Sequence, residues 1–439
     1  MSNWNEKTIK EIVIENRPIT YGIVQPGLDI RPNGIPLIRG RDYSSGKVSL
    51  SDLYHVKAEI DLPYKRSRVL GNDILFSIAG YVGQVAVVPS VLEGANITQT
   101  TARISVNQSS FSYQYIFYYL VSEYTQVQVK KYAKGSAQEG LNLSDVEKIK
   151  INLPTLQEQH KIVQILSTTD TVIEKTRASI AKYKAIKQGM LHDLFTRGID
   201  IKTGKLRPKY RDAPDLYKES DLGWIPKEWD IERLDSLTEK IGSGITPTGG
   251  SEIYETSGVL FIRSQNVLVG SLSIENAAYI TNEIDEMMQA SRVKPFDILL
   301  NITGASIGRC SYFPLQLKSA NVNQHVCIIR FLNTSKKLSV FASEFLNSDF
   351  GQSQINRLNA GGNREGLNFQ QIKSFTFPVV DSNEIQMISN IILTITKKLN
   401  TEQTYLQKLQ MIKSGLMNDL LSGTRLVSVP NELETETSK

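Results

Sequence analysis

The stretch GNDILFSIAGYVGQVAVVP, residues 71–89, returns further along the chain as PFDILLNITGASIGRCSYFP, residues 295–314. Each copy reads as a buried strand, a glycine turn and a second apolar strand. An enzyme site is ordinarily built once, so a second copy points to a molecule that needs two of something at a defined separation. The same shift recurs on both sides of the stretch. Trp4 in NWNEKTIKEI returns as Trp229 in EWDIERLDSL, Arg39 in PLIRGRDY as Arg263 in LFIRSQNV, and Asp73 as Asp297. ANITQ from Ala95 returns as ANVNQ from Ala320, and EGLN from Glu139 as EGLN from Glu365. All of these shifts lie within 224–226 residues, which identifies a tandem duplication.

Both copies keep one internal order. Short β-rich runs bounded by Gly, Pro, Asn and Asp come first, among them IPLIRG, DILFSIAG, QVAVV and ARISV. A single helical run, YQYIFYYLVSEYTQVQVKKYA, follows, then a polar glycine loop, a proline and a long helix. In that helix a 4-3 spacing starts at Ile162 and continues through Leu166, Thr169, Ile173, Thr176, Ile180, Tyr183, Lys187, Met190 and Leu194. Shifted by 226 it lands on Ile388, Ile392, Ile395, Leu399, Glu402, Leu406, Leu409, Lys413, Leu416 and Leu420. This is a coiled-coil heptad with a lysine in the same slot of both helices. A helix from Glu158 to Phe195 spans roughly 57 Å at about 1.5 Å per residue, more than a compact domain needs. The first helix leads the chain away from one globular body and the second must return, so the pair is expected to run antiparallel. The expected fold is two tandem α/β globular units plus two long α-helices forming an antiparallel coiled coil, related by an approximate two-fold axis.

The expected boundaries are 1–154 for the first globular unit, 155–198 for the first long helix, 199–223 for a linker, 224–379 for the second unit and 380–426 for the second helix. Residues 427–439, acidic and polar, are expected to be disordered. Around the linker, residues 197–211 hold six bases (Arg197, Lys202, Lys205, Arg207, Lys209, Arg211) against one acid. A solvated connection is the plainer reading of that run and a phosphate contact the sharper one.

Forty per cent apolar, 8% aromatic and 22% charged residues over 439 positions describe a globular protein. No window approaches 18 uninterrupted apolar residues, and the start MSNWNEKTIKEIVIENRP has no basic region followed by an apolar run. Neither a spanning helix nor a signal peptide is expected, no membrane is expected as a partner, and the cytoplasm is the expected compartment. Cys310 and Cys327 are the only cysteines, too few for a disulfide scaffold. The net charge of +5 is modest for binding a polyanion. Locally, residues 31–70 hold eight Lys or Arg against four acids, whereas residues 255–294 hold three against five. If both copies touch nucleic acid, they do so with different surfaces.

Signs of catalysis are missing. AGYVGQ and TGASIGRC have closely spaced glycines, but neither ends in Gly-Lys-Ser/Thr, so both read as turns between strands. His55, His160, His192 and His325 stand without a ligand partner at metal spacing. No Asn/Asp-Pro-Pro-Tyr methylation motif and no convincing nuclease carboxylate set occur; Asp73 and Asp297 read as turn residues that open a strand. What remains is recognition. The copies keep apolar framework residues and change polar ones, as in LIRGRDYSSGK against FIRSQNVLVGS and ITQTTAR against VNQHVCI. Arg, Gln and Asn carry the forked donors and acceptors that match guanine and adenine edges.

Taken together, YGIVQPG, the DILF and GSAQEGLN blocks, LPTLQEQHKIVQIL, KQGMLHDLFTRGI and ESDLGWIPKEW in this order resemble the specificity subunits of type I restriction-modification enzymes over nearly the whole chain. The second helix departs from the family at its start, DSNEIQMISNII replacing a proline-rich Glu-Gln entry. The resemblance implies a non-catalytic reader of double-stranded DNA with two target-recognition domains. Each would read half of a split, asymmetric site while the helices set the spacer. Two adenine methyltransferase subunits would dock on it and restriction-translocase subunits would join. No cofactor is expected on this chain; S-adenosylmethionine, ATP and Mg are expected on the partners. The candidate DNA contacts are Arg39, Arg41, Tyr43, Gln99, Lys134 and Gln138 in the first copy, and Arg263, Gln265, Asn266, Gln324, Asn363 and Arg364 in the second. Arg39 and Arg263 share a slot, which suits phosphate positioning as well as base readout. Gln99 and Gln324, after a repeated Asn, suit fixing a loop as well. The alternative function is a coiled-coil protein-protein scaffold without DNA reading.

Overall fold

Residues 4–133, 140–247, 250–275, 277–317, 319–359 and 366–429 are described by a computed structural model. The chain divides into two compact units, residues 1–177 with 405–439 and residues 178–404.

In the first unit the duplicated stretch supplies the middle of a six-stranded sheet. Ile74–Ser77 runs antiparallel to Thr101–Ile104 on one side and to Val85–Val87 on the other, with Ile74 facing Ile104. All four of its residues are buried, which explains why it reads as an unbroken apolar run rather than an alternation. A second sheet joins Tyr54–Val56, Ile35–Ile38 and Asn96–Ile97, the last two in parallel. The second unit repeats both arrangements. Ile298–Asn301 lies between Val326–Phe331 and Cys310–Tyr312, with Ile298 facing Ile329, and Val259–Ile262 runs parallel to Ala320–Val322.

The strand-opening aspartates act as expected and do something further. Asp73 accepts the Leu70 N–H at 2.8 Å and Asp297 the Lys294 N–H at 2.7 Å. Each is also buried against an arginine. Arg17 Nη2 reaches Asp73 Oδ2 at 3.0 Å, while Arg330 Nε and Nη2 both reach Asp297 at 2.7 Å. The position matched to Arg330 by the shift is Ser105, whose hydroxyl donates to Asp73 Oδ1 at 2.5 Å. The copies therefore keep the charge pair and move its cation to another segment.

One helical expectation is corrected. The run after the strands is two helices, Tyr113–Val121 and Glu123–Tyr132, because Ser122 is extended and its hydroxyl donates to the Tyr119 carbonyl at 2.6 Å. Ser348 makes the same break between Lys336–Asn347 and Asp349–Asn359, donating to Phe345 O at 2.6 Å. A side chain bonded back to the preceding turn competes with helix propagation.

The two long helices are α1, Leu156–Arg197, and α2, Ser382–Leu421. A reciprocal cap starts α1, with the Thr155 N–H donating to Glu158 Oε2 at 2.9 Å and the Glu158 N–H to Thr155 Oγ1 at 3.3 Å. In the first unit Ile162 and Leu166 share a core with Leu420 and Leu421, and Lys413 meets Asp170 at 2.5 Å. In the second, Leu194 and Phe195 share a core with Ile388 and Ile392, and Lys398 lies 5.6 Å above the Tyr183 ring. Within each unit partners on α2 fall in number as those on α1 rise, so the helices are antiparallel there. Every heptad seam position is buried or half-buried. The seam lysines are ion-paired, Lys187 to Glu344 at 2.6 Å and Lys413 to Asp170.

The segment after α1 is not a free linker. Ile199–Asp200 pairs with Lys205–Leu206, and Tyr217–Ser220 with Gly223–Pro226. Arg207 is buried against Glu384 and so is neither solvated nor open to phosphate, whereas Lys202, Lys205, Lys209 and Arg211 are exposed. Val427, expected in a disordered tail, packs half-buried against the core of the first unit; residues 430–439 lie outside the described residues. Among the described residues no helix is long and apolar enough to cross a membrane.

Candidate nucleic-acid interface

Each unit carries a further buried polar network that the sequence pattern only hinted at through its repeated Asn. In the first, Asn96 donates to Asp61 Oδ1 at 2.7 Å, Ser67 donates to Asn96 Oδ1 at 2.7 Å and Arg68 Nε binds Asp61 Oδ2 at 2.9 Å. In the second, Asn321 donates to Asp285 Oδ1 at 2.9 Å, Ser291 to Asn321 Oδ1 at 2.5 Å and Arg292 Nε to Asp285 Oδ2 at 2.8 Å. Asn96 and Asn321 are fully buried. A fully satisfied network of this kind fixes the loop that follows it, and that loop presents Gln99 or Gln324 to solvent.

Three loops converge beside it. A Cβ on Gly40 would lie 3.6–3.8 Å from Tyr81, Thr100 and Ser77, so the turn Arg39–Asp42, the glycine turn and the ANITQ loop adjoin. Tyr81 is 60% exposed at this junction. In the second unit Asn301 donates to Ser264 O at 2.8 Å and to Ser306 Oγ at 3.2 Å, and the Ile302 N–H donates to His325 O at 3.0 Å. The same three loops are thereby tied together. Bridges from Gly140 to Ala79 and from Gly366 to Thr303 bring the chain back to this place after the polar glycine loops. Lys134, Gln138, Asn363 and Arg364, on those loops, lie outside the described residues.

Of the remaining sequence-derived candidates, Arg41, Gln99, Gln265 and Gln324 are exposed, Gln324 accepting a hydrogen bond from the Thr246 hydroxyl. Two are corrected. Tyr43 is a core residue, 1% exposed, with its hydroxyl 3.1 Å from Thr101 Oγ1, and burial pushes its phenol up to about 12. Asn266 is buried as well and holds the turn, accepting the Arg263 N–H at 3.0 Å and donating to Ser273 O at 3.0 Å. Arg39 and Arg263 are half-buried, each guanidinium lying over a tyrosine ring: Tyr54 at 5.2 Å and Tyr254 at 5.1 Å. The rings come from different sequence positions, which no repeat search would align.

The basic excess of residues 31–70 is partly cancelled. Arg31 binds Asp29 and Asp52, Arg39 binds Asp42, Arg68 binds Asp61, and Lys47 lies 3.6 Å from Glu174. Lys57, Lys65 and Arg66 are exposed and have no ion pair among the described residues. Among the described residues the site offers guanidinium and amide groups on hydrogen-bonded loops, and no cluster of His, Cys, Asp or Glu suited to a metal occurs among them.

Comparison with known proteins agrees with the duplicated architecture. Residues 1–182 and 226–411 match the family described as type I restriction modification DNA specificity domain. Over 219 residues the chain is 34% identical to the type I restriction enzyme EcoBI specificity subunit of Escherichia coli, covering 49% of this chain and 44% of that protein, so it spans under half the length of that relative. It is 23% identical over 329 residues to the type I restriction enzyme MjaVIII specificity subunit of Methanocaldococcus jannaschii, covering 74% and 73%. In fold it is similar to the S subunit of the type I restriction-modification system from M. genitalium, with a TM-score of 0.56 at 15% identity over 98% of this chain and 97% of that one. A chain from a structure of the type I R-M system, described for its complex assembly and conformational transition, gives 0.53 at 14% over 95% and 97%. The curated relatives are named as specificity subunits. Carrying the family's domain twice along most of its length, the chain belongs to the type I restriction-modification DNA specificity family, as a specificity subunit.

Proposed function

We propose that each specificity domain reads one half of a bipartite, asymmetric site on double-stranded DNA in the cytoplasm, with the long helices setting the unread spacer. The observation that carries this reading is the family domain matched twice, at 1–182 and 226–411, on copies whose exposed polar groups differ. The first unit exposes Arg41 and Gln99, the second Gln265 and Gln324. Unlike donor and acceptor sets on one framework suit unlike half-sites. Two copies of one helix pattern also suit two identical partners, which we take to be adenine methyltransferase subunits, joined by restriction-translocase subunits. Methyl donor, ATP and Mg then belong to those partners, and this chain holds no cofactor.

The test is a domain exchange. Replacing residues 1–154 with the first domain of another family member should alter one half of the sequence selected from a random duplex pool and leave the other half unchanged. Alteration of both halves, or of neither, would overturn the reading.

A further inference from the structure

The repeated turn at 39–42 and 263–266 differs between the units at two charged positions, Asp42 against Asn266 and Arg41 against Gln265. In the first unit, the Asp42 carboxylate accepts the Arg39 N–H at 2.9 Å and also takes the guanidinium in a fork, from Nε at 2.8 Å and Nη2 at 2.9 Å. Arg39 Nη2 further reaches the Asp52 carbonyl at 3.3 Å. In the second, the residue at the Asp42 slot is Asn266. Its side chain keeps the backbone contact, accepting the Arg263 N–H at 3.0 Å, but spends its amide on Ser273 O. Arg263 Nε is buried without a hydrogen-bond partner, and its guanidinium makes no ion pair among the described residues. The Tyr254 ring still holds it in place at 5.1 Å.

The same loop position therefore carries a neutralised cation in one unit and a preoriented, unpaired one in the other. Arg263 is only half-buried, its Nη groups carry no hydrogen bond among the described residues, and an acceptor supplied from outside would give them a charge-assisted bond. Next door, at the slot two residues on, the pattern is reversed: the first unit exposes Arg41, with its nearest carboxylate contact at 3.8 Å, and the second exposes the uncharged Gln265. The turn thus presents a guanidinium from different positions in the two units, Arg41 in loose contact with Asp42 at 3.8 Å and Arg263 with no ion pair among the described residues.

Resting on the reading of the units as DNA readers, we propose that Arg263 is a direct cationic contact to an anionic or acceptor oxygen of the DNA in the second unit, and that Arg39, at the matching slot, is a structural residue that does not touch DNA. Phosphate oxygens and the guanine edge share this chemistry, and both accept a guanidinium fork.

The experiment measures binding of the full chain to its selected duplex and to random duplex by fluorescence anisotropy between 50 and 200 mM salt. Three variants are compared with wild type: Arg263→Ala, Asn266→Asp, which writes the first unit's pairing carboxylate into the second, and Arg39→Ala. Arg263→Ala and Asn266→Asp should each weaken binding about tenfold, and Arg39→Ala should leave binding per folded molecule unchanged while lowering the melting temperature. If Arg263 holds a phosphate, the salt slope falls by about one and both duplexes lose equally. If it holds a base, the loss is confined to the selected duplex. Wild-type binding with no loss in Arg263→Ala and Asn266→Asp, or an equal loss in Arg39→Ala, overturns this proposal alone. Absence of any duplex binding by the wild-type chain overturns the DNA reading and this proposal with it.

Discussion

Arg207 and Glu384, 177 residues apart, form a buried fork, Nη1 to Oε1 at 2.6 Å and Nη2 to Oε2 at 3.0 Å. The carboxylate also accepts the Ile199 N–H at 2.6 Å, and Arg207 Nη1 donates to the Arg197 carbonyl at 3.2 Å. The end of α1 and the start of α2 are thus clasped inside the second unit. Gly198, at φ +61°, permits this: a Cβ there would collide with Glu384, Arg207 and Trp229.

Removing one partner leaves the other charge buried. Glu384→Ala is expected to cost about 3–5 kcal/mol, measured by urea denaturation. Gly198→Ala should destabilise the same transition, because both its φ and its surroundings exclude a side chain.

The seam lysine is expected to resist an apolar replacement that a heptad alone would favour. Lys187→Leu strands Glu344, which is 5% exposed, and should lower stability by about 3 kcal/mol. Lys187→Leu with Glu344→Leu should recover most of that loss, so a double-mutant cycle will return a large coupling energy.

Leu421, fully buried in the core of the first unit, lies in the last turn of α2. Leu421→Ala should cost about 2–5 kcal/mol and unfold the first unit while leaving the second intact, as hydrogen exchange resolved by peptide would show. In the second unit Phe195 makes edge contacts with Phe341 and Phe345 at 5.3 and 5.5 Å, and Phe195→Ala should do the converse.

Cys310 and Cys327 are free and buried, and burial pushes the Cys327 thiol up to about 12 and Cys310 well above its usual range. Folding favours the neutral thiols. Their contribution is therefore complete below about pH 9 and is lost as pH rises from there through about 12. Between pH 8 and pH 10.5 the folding free energy should fall by about 2 kcal/mol per thiol, and the Cys310→Ala, Cys327→Ala double variant should show a smaller fall. Neither thiol should react with a thiol reagent at pH 8 until denaturant is added.

The parts of this molecule that could be read from the sequence are those governed by period. The heptad from Ile162 and its shifted copy from Ile388 mark the buried seam because a helix returns to one face every three or four residues. The duplicated strands from Ile74 and Ile298 follow from unbroken apolar runs. Where a neighbour distant in sequence decides, the pattern gave no such guidance. Tyr43 and Asn266 sit among polar loop residues and look like contacts, yet Thr101 and Ser273 take their polar groups inward. Arg207 belongs to a basic run and is claimed by a carboxylate near the start of α2. Ser122 and Ser348 break helices inside stretches whose composition is helical throughout, the signal being a serine repeated at the same shift.

Because residues 405–439 belong to the first unit whereas the second is drawn from residues 178–404 alone, the two bodies mature at different moments during translation. The second has all its chain once residue 404 clears the ribosome. The first must wait for the turn bearing Leu420 and Leu421, roughly 240 residues after its own segment ends at 177, or about 12–50 s at 5–20 residues per second. Through that interval Ile162 and Leu166 lack the cover of Leu420 and Leu421 on the nascent chain, a window in which holdase chaperones or premature termination would decide the yield of intact protein.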